Sequence, residues 1–394
     1  MAKILLISNG HGEDLSGSIL VQHLQQLDPT LTCAALPIVG AGNAYRRAHI
    51  PIISPTQDLP SGGFSYMSLK KLWQDITAGL VGLTWRQWQI ARAYPCDLVV
   101  AIGDVVPLLF ARAMGVPFVF YFVAMSAHYE GTTVIHPLAK LLMRSSQCRQ
   151  IFTRDEFTAQ DLRRRGYGSA QFVGNPFMSA LVSSNLDLQL DQSRPMIALL
   201  PGSRLPEALA NFALMLRLLP DLVTAVPHLQ FRAALVPTID RTALETIAQP
   251  LGWQLLDRAN YYELVHRQTR VLAYSNAFSD ILLQSSLVIG MAGTANEQAV
   301  GLGKPVVQLV GAGPQFTYRF AEAQKRLLGE SVYTCRTLDS ACDLIPRLLT
   351  DPQLPLLWQE NARLRLGGQD GASKMAQAIY HLMSETLVEN PPSS

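Results

Sequence analysis

The sequence predicts an α/β protein made of two doubly wound domains that face each other across a cleft. Short apolar runs recur along the chain, each followed by a turn and then by a longer segment of helical period. This pattern restarts after a polar, aperiodic stretch near the middle of the chain. The 394 residues are enough for two or three domains of ~150 residues each.

The composition excludes several other classes of protein. Hydrophobic residues make up 48% of the chain and charged residues 16%, which is incompatible with intrinsic disorder. The net charge of +2 gives no basic excess for binding nucleic acid. Five scattered cysteines without a Cys-x-x-Cys pair argue against a disulfide framework or a zinc site. We therefore expect a cytoplasmic protein with neither metal nor cofactor, in solution or held on the inner face of a membrane.

The first half of the chain alternates apolar runs with helical patterns. Its predicted strands are 4–8, 98–102, 117–123, 150–153 and 170–173. Helices are predicted after the turn 9–14 through about residue 27, near 108–114 and over 155–166. Such alternation is typical of a parallel sheet that is covered on both faces.

The second half repeats this alternation. Its predicted strands are 196–200, 229–235, 270–273, 287–290 and 305–309, and a last helix spans about 372–385. The predicted domains are 1–184 and 196–371, joined by a linker at 185–195 and followed by a helix and tail at 372–394. Because ligands of doubly wound sheets bind beyond the carboxyl ends of the strands, the turns there are where we expect the chemistry.

One segment, 64–92, does not follow the alternation. It carries three of the five tryptophans, Trp73, Trp85 and Trp88, together with several lysines and arginines. Helices with aromatic and basic side chains of this kind can lie in a lipid interface. The same apolar stripe could equally pack onto the first sheet, so both interpretations stay open.

Two turns in the second half could hold a diphosphate. Gly202, Ser203 and Arg204 lie between a strand and a helix, where glycine lets the backbone approach a phosphate and arginine offers a cationic fork. Gly293 and Thr294 occupy a second turn of the same kind. Glu297 or Gln298, one turn further into that helix, could reach a ribose diol. Ordinary turns and tight helix–sheet packing remain the alternatives.

The corresponding turns of the first half offer acids and bases. His11, Glu13 and Asp14 follow the first strand, and Asp104 follows the strand 98–102. A general base for a sugar hydroxyl would be a carboxylate or a histidine. Capping of a helix explains the carboxylates equally well.

At this point the residues resemble a known family. The chain is similar to lipid-A-disaccharide synthase and, more distantly, to the GlcNAc transferase of peptidoglycan synthesis. The motifs that carry this resemblance are Gly12-Glu13-Asp14, Ile102-Gly103-Asp104 with Pro107, Phe172-Val173-Gly174-Asn175-Pro176, Leu199-Leu200-Pro201-Gly202-Ser203-Arg204, Gly293-Thr294-Ala295 and Gly303-Lys304-Pro305. The start of the chain, Ser8 to Asp14, most resembles the cyanobacterial and plastid group related to that synthase.

The resemblance implies a GT-B fold that holds a UDP-sugar mainly in the second domain, with the last helix crossing back to the first. The synthase has a glutamate on the ribose where this chain has Gln298, and its tryptophan-containing loop is replaced here by residues 124–133. Glu322 and Gln324 lie where relatives contact the donor sugar. The predicted donor-binding residues are Gly202, Ser203, Arg204, Ala277, Phe278, Gly293, Thr294, Ala295, Glu297, Gln298 and Gln315. The predicted acceptor-side residues are Gly12, Glu13, Asp14, His128 and Glu130.

The resemblance therefore implies an inverting, metal-independent glycosyltransferase. It would move a hexose or N-acetylhexosamine from a UDP-sugar to a lipid-type acceptor, with Asp104 or His11 as the catalytic base. Two alternatives stay open: a UDP-GlcNAc 2-epimerase-like isomerase, and a non-catalytic relative that binds a nucleotide sugar or a lipid. The expected partners are the UDP-sugar, the lipid acceptor and a membrane surface at 64–92, and the oligomeric state, a homodimer included, is open.

Overall fold

The computed structural model describes residues 2–56, 80–311 and 316–389. The chain divides into two compact units: unit 1 comprises Met1–Ala180 and Gly367–Ser394, and unit 2 comprises Leu181–Leu366. The predicted linker 185–195 therefore falls within unit 2. Gln315 and the part of segment 64–92 before residue 80 lie outside the described residues.

Unit 1 contains a six-stranded parallel sheet. Its strands are β1 (Lys3–Ser8), β2 (Thr32–Pro37), β3 (Leu98–Ile102), β4 (Phe118–Phe122), β5 (Cys148–Thr153) and β6 (Ala170–Gln171), in the order β2-β1-β3-β4-β5-β6. Every residue of β3 and β4 is buried, as expected for central strands covered on both faces. The strand order reverses between β1 and β3, so the turns after these two strands lie at the switch point where doubly wound sheets bind ligands.

Helices cover both faces of this sheet. They are α1 (His11–Leu27), α2 (Asn43–Arg47), α3 (Leu80–Ala93), α4 (Val105–Ala113), α5 (Pro137–Met143) and α6 (Glu156–Arg164). One core cluster joins the sheet to α1 through Leu20 and Leu24, and a second joins the other face to α4 and α5 through Leu108 and Leu142.

Unit 2 contains an eight-stranded sheet. Its strands are β7 (Met196–Leu200), β8 (Gln230–Ala234), β9 (Gln254–Asp257), β10 (Tyr262–His266), β11 (Thr269–Tyr274), β12 (Leu287–Gly290), β13 (Val306–Leu309) and β14 (Val332–Cys335), in the order β14-β13-β12-β7-β8-β11-β10-β9. The pairs β9–β10 and β10–β11 are antiparallel and the other pairs are parallel. The sequence analysis did not predict this antiparallel edge, where short connections reverse the chain.

The helices of unit 2 are α7 (Glu207–Ala225), α8 (Arg241–Ala248), α9 (Phe278–Gln284), α10 (Thr294–Gly301), α11 (Tyr318–Leu328), α12 (Leu338–Thr350) and α13 (Leu354–Leu366). Among the described helices, α7 is the one with the length and composition to cross a membrane. Its Phe212, Leu216 and Leu219 are fully buried in the core of unit 2.

The segment that enters unit 2 is fixed to it by buried polar side chains. Asp280 of α9 accepts hydrogen bonds from the backbone N–H groups of Ser184 and Asn185, at 3.1 Å each. The buried guanidinium of Arg232 donates to the carbonyls of Leu188 and Gln189, both at 2.6 Å. These contacts explain why the predicted linker belongs to unit 2.

The last helix, α14 (Gly371–Glu389), belongs to unit 1. It packs along α1 and buries Met375 and Ile379 in the same core cluster as Leu20. Its start crosses the chain at Gly174, where φ is +102°. A Cβ on Gly371 would lie 2.5 Å from the carbonyl carbon of Gly174, so the two backbones meet where neither residue has a side chain.

Candidate functional site

The two glycine turns predicted to hold a diphosphate lie side by side in unit 2. They follow β7 and β12, which are neighbouring parallel strands with Leu200 opposite Gly290. The N–H of Met291 donates to the carbonyl of Leu200 at 2.8 Å. Gly202 has a φ of +103°, and a Cβ there would lie 3.0 Å from the carbonyl oxygen of Met291. Because the strand order reverses between β7 and β12, this is the switch point of unit 2.

The side chains of these turns suit an anion. Ser203 is exposed, and Arg204 and Thr294 are half-buried. Helices α7 and α10 both begin here, and the first-turn N–H groups of a helix carry a partial positive charge. Gly293 is the N-cap residue of α10 and has no side chain to occupy the space in front of the helix. A diphosphate would therefore meet N–H donors, hydroxyl groups and a guanidinium.

The residues predicted to contact the rest of the nucleotide differ in exposure. Glu297 is half-buried, whereas Gln298 is only 4% exposed. Ala277 is buried as the N-cap of α9, and Phe278 is half-buried at the first position of that helix, after β11. Glu297 therefore presents a carboxylate more openly than Gln298 presents its amide.

Sequence reasoning missed a buried amide network beneath the second turn. Gln324 is 6% exposed, and its Nε2 donates to the carbonyls of Ala292 and Gly293 at 3.3 and 3.2 Å. Its Oε1 accepts hydrogen bonds from Asn296, at 2.9 Å, and from Gln308. The expectation that Gln324 contacts the donor sugar is therefore wrong, because backbone and amide partners occupy both ends of its side chain. The sequence signal that could have indicated this network is Gln308, a single polar residue within the apolar run of β13.

In unit 1 the turns after β1 and β3 also come together. A Cβ on Gly103 would lie 3.1 Å from the Cβ of Asn9 and 3.7 Å from the Cγ of Glu13. Asp104 caps α4 by accepting the N–H of Val106 at 2.8 Å. Burial raises the pKa of Asp104 from its usual value, against hydrogen bonds that favour the ionised form. Asp104 is thus both the predicted helix cap and a carboxylate of increased basicity.

Asp14 is placed differently from the prediction that it faces an acceptor. Its side chain is 1% exposed and accepts a hydrogen bond from Ser8 Oγ at 2.6 Å. Ser8 Oγ also lies 2.9 Å from the hydroxyl oxygen of the buried Tyr45. Burial raises the pKa of Asp14 to about 7, the Ser8 hydrogen bond opposes this rise and the charge of Glu13 adds to it. Asp14 therefore belongs to the interior of unit 1, beneath the half-buried Gly12 and Glu13.

The loop after β4 is hydrogen-bonded to α6 and to the N-cap residue of that helix. Asp155 accepts a hydrogen bond from Ser126 Oγ at 2.7 Å, and Asp161 accepts the N–H of Thr133 at 2.8 Å. His128 lies between these points, with Nε2 3.8 Å from Asp155 Oδ1. Glu130 is exposed at the loop tip.

His11, the other predicted catalytic base, is the first residue of α1, and its side chain lies outside what the structure describes.

Comparisons with known proteins match this architecture. No family model matches the chain. The chain is similar to the lipid-A-disaccharide synthase of Anaeromyxobacter sp. (strain K), with 26% identity over 314 residues, 77% of this chain and 73% of that protein. The calicheamicin glycosyltransferase CalG4 superposes with a TM-score of 0.63 at 16% identity and covers 100% of both chains. The UDP-GlcNAc 2-epimerase from Neisseria meningitidis bound to UDP-GlcNAc has a TM-score of 0.60 at 13% identity, covering 97% of this chain and 100% of that chain.

The predicted fold class is confirmed. The chain has the GT-B fold, with two Rossmann-like α/β domains built on predominantly parallel sheets. Glycosyltransferases and UDP-GlcNAc 2-epimerases both have this fold, and function depends on the site rather than on the fold.

Proposed function

We propose that the chain is an inverting, metal-independent glycosyltransferase that uses a UDP-sugar as donor and a lipid-type molecule as acceptor. The observation that carries this proposal is the meeting of the two glycine turns at the switch point of unit 2, with Arg204 and Thr294 beside them. The similarity to lipid-A-disaccharide synthase supports the choice of reaction. Because residues Ser8 to Asp14 resemble the start of the cyanobacterial and plastid group, we also propose that the chain is a member of that group.

On the donor side, the leaving group of this reaction is UDP. Arg204 and the N–H groups at the starts of α7 and α10 neutralise the negative charge that develops on the diphosphate as the glycosidic bond breaks. Fixed donors are effective here because they do not have to reorganise during the reaction. Glu297 is the better placed of the two ribose-binding candidates because it is the more exposed.

On the acceptor side, the proposed catalytic base is Asp104, with His11 as the alternative. A carboxylate whose pKa is raised by burial is a stronger base than an ordinary aspartate. In this role it takes the proton of the acceptor hydroxyl as the oxygen attacks C1 of the sugar. The loop with His128 and Glu130 binds the remainder of the acceptor.

Purified protein incubated with UDP-hexoses or UDP-N-acetylhexosamines and a membrane lipid extract tests the proposal. We expect release of UDP together with a new glycolipid. The absence of both products with every donor would contradict it. Calorimetry that finds tight UDP-sugar binding without any turnover would instead favour a non-catalytic binding protein.

The isomerase alternative has its own support, because the UDP-GlcNAc 2-epimerases superpose about as well as the glycosyltransferases do. Against it, those enzymes carry a His-Arg-x-Glu-Asn stretch where this chain has residues 202–207. Incubation with UDP-GlcNAc in deuterated water separates the two reactions. Deuterium at C2 of the sugar would favour the epimerase, and a glycosyltransferase leaves that position unlabelled.

A lipid acceptor requires access to a membrane, and unit 1 offers a surface for it. Helices α3, α4 and α5 pack in sequence along one face of the sheet. We define the α3–α5 surface by the exposed apolar residues Trp85, Leu109, Leu138 and Leu141 and the exposed basic residues Arg86, Lys140 and Arg144. Apolar side chains flanked by positive charges suit an anionic bilayer. The proposal therefore places the enzyme in the cytoplasm, bound peripherally to a membrane.

A further inference from the structure

Both glycine turns of unit 2 rest on buried side-chain amides. Asn211 of α7 donates from Nδ2 to the carbonyl of Pro201 at 2.9 Å. Gln324 of α11 donates from Nε2 to the carbonyls of Ala292 and Gly293. Three carbonyl groups of the two turns are therefore held on the interior side.

Because the peptide bond is planar and trans, fixing the direction of a carbonyl group also fixes the direction of the next N–H group. In a trans peptide the C=O of one residue and the N–H of the next point in opposite directions. Asn296 and Gly290 illustrate the rule, because Nδ2 of Asn296 binds the Gly290 carbonyl at 3.1 Å while the next N–H, of Met291, points to β7. Fixing the carbonyls of Pro201, Ala292 and Gly293 therefore turns the N–H groups of Gly202, Gly293 and Thr294 away from the buried amides.

We propose that Asn211 and Gln324 are positioning residues that aim the backbone N–H groups of Gly202, Gly293 and Thr294 at the diphosphate of the nucleotide sugar. This inference rests on the proposed function, and it names residues that do not themselves touch the ligand. A carbonyl oxygen facing a diphosphate would repel it, so holding the carbonyls inward also removes an unfavourable charge from the site.

The network determines which end of the Gln324 amide faces the turn. Oε1 accepts N–H groups from Asn296 and Gln308, so Nε2 is the end directed at the two carbonyls. Gln308 is oriented in turn by Thr334, whose hydroxyl donates to Oε1 of Gln308 at 3.4 Å. A glutamate at position 324 would bring a carboxylate oxygen against two carbonyl oxygens unless it carried a proton.

Calorimetry with uridine and with UDP tests the proposal, because only UDP carries the diphosphate. For Gln324→Met and, independently, Asn211→Leu, we expect UDP affinity to fall about tenfold, which corresponds to about 1.4 kcal/mol of binding free energy. Uridine affinity should stay as in the wild type. For Gln324→Glu we expect a larger loss of UDP affinity that recovers, relative to the wild type, as the pH is lowered.

Asn361→Leu is the matched control. Asn361 is also a buried amide of unit 2, and its Nδ2 donates to the carbonyl of Leu328 at 2.8 Å, away from both turns. This variant should lower the melting temperature without changing the ratio of UDP to uridine affinity. The positioning role would be overturned if both Gln324→Met and Asn211→Leu kept the wild-type ratio of UDP to uridine affinity, whether the two affinities stayed unchanged or fell equally. A wild-type protein that binds neither UDP nor any UDP-sugar would overturn the proposed function itself.

Discussion

At the scale of single residues, Arg204 carries the most direct prediction about the donor site. Arg204→Ala removes a guanidinium from the turn after β7, and hydrogen bonds to charged groups are worth about 1.5–3 kcal/mol. We therefore expect UDP affinity to fall by about ten- to a hundredfold in calorimetric titrations. Arg217→Ala, which removes an exposed arginine from α7, is the control and should bind UDP as the wild type does. Equal affinities of the two variants would exclude a role for Arg204 in phosphate binding.

The raised pKa of Asp14 predicts that the stability of the protein depends on pH. Burial raises the pKa of Asp14 from the usual value of 3.8 to about 7 in the folded protein, so the folded state holds this proton more tightly than the unfolded state does. The free energy of unfolding therefore decreases as the pH rises between these values, by at most about 4 kcal/mol, since each pKa unit is worth about 1.4 kcal/mol. In urea unfolding at pH 5 and pH 8, Asp14→Asn should gain stability relative to the wild type at the higher pH.

Asp28→Asn provides the control for this experiment. Asp28 is half-buried at the end of α1, and hydrogen bonds from Thr30 lower its pKa, so its contribution to stability has the opposite sign. Its removal should therefore not reproduce the relative gain at pH 8. If Asp14→Asn and the wild type respond identically to pH, the buried carboxyl group is not the titrating group.

These residues also mark what the sequence alone could predict. The role of Asp104 as a helix cap depends on its immediate neighbour Val106 and is recognisable from local spacing. Gly202 approaches the distant Met291, but its place between a strand and a helix already indicated a close-approach glycine. The burial of Asp14 depends on Tyr45, 31 positions further along the chain. The burial of Gln324 depends in the same way on distant partners, namely a helix (α10, through Asn296), a strand (β13, through Gln308) and the turn before α10. Contacts between distant segments leave no local pattern, so sequence reasoning placed both side chains at a surface.

At the scale of elements, central strands were predicted more accurately than edge strands. Of the edge strands, β2, β9 and β14 were missed, and β6 (Ala170–Gln171) is shorter than the predicted 170–173. β3, β7 and β12 match their predicted bounds, because continuous apolar runs between turn signals define them. β9 has exposed polar residues at both ends and two half-buried leucines between them, so its sequence resembles a short polar segment. The missed β2, with Thr32, Cys33 and two alanines, lacks the large branched residues that usually indicate a strand.

The two tryptophans of α3 lie in different surroundings, so we expect their substitutions to have different effects. Trp85 is 61% exposed, whereas Trp88 packs edge-on against Phe110 with ring centroids 5.0 Å apart. Trp85→Ser should weaken flotation with anionic liposomes by about tenfold or more, because burying such a side chain is worth roughly 1.5–3 kcal/mol. Trp88→Ser should lower the melting temperature without selectively reducing flotation. Unchanged flotation of a stable Trp85→Ser protein would argue against lipid binding by the α3–α5 surface.

At the scale of the whole molecule, the order of the elements along the sequence differs from their grouping into the two units. α14 follows all of unit 2 in sequence, yet it completes the core of unit 1 along α1. The crossing of Gly174 and Gly371 allows this return, because two backbones approach there more closely than side chains would permit. Unit 1 is therefore complete only after the last helix has been synthesised, and its stability depends on residues encoded after unit 2.

Ile379→Asp tests this dependence. Ile379 is fully buried between α14 and the sheet of unit 1, and a buried unpaired carboxylate costs about 4 kcal/mol or more. Hydrogen exchange followed by mass spectrometry should show loss of protection in β1 and β3 while β7 and β12 keep theirs. His381→Gln, a change at an exposed position on the same helix, should leave both units protected. Equal loss of protection in β7 and β12 would mean that α14 stabilises both units rather than unit 1.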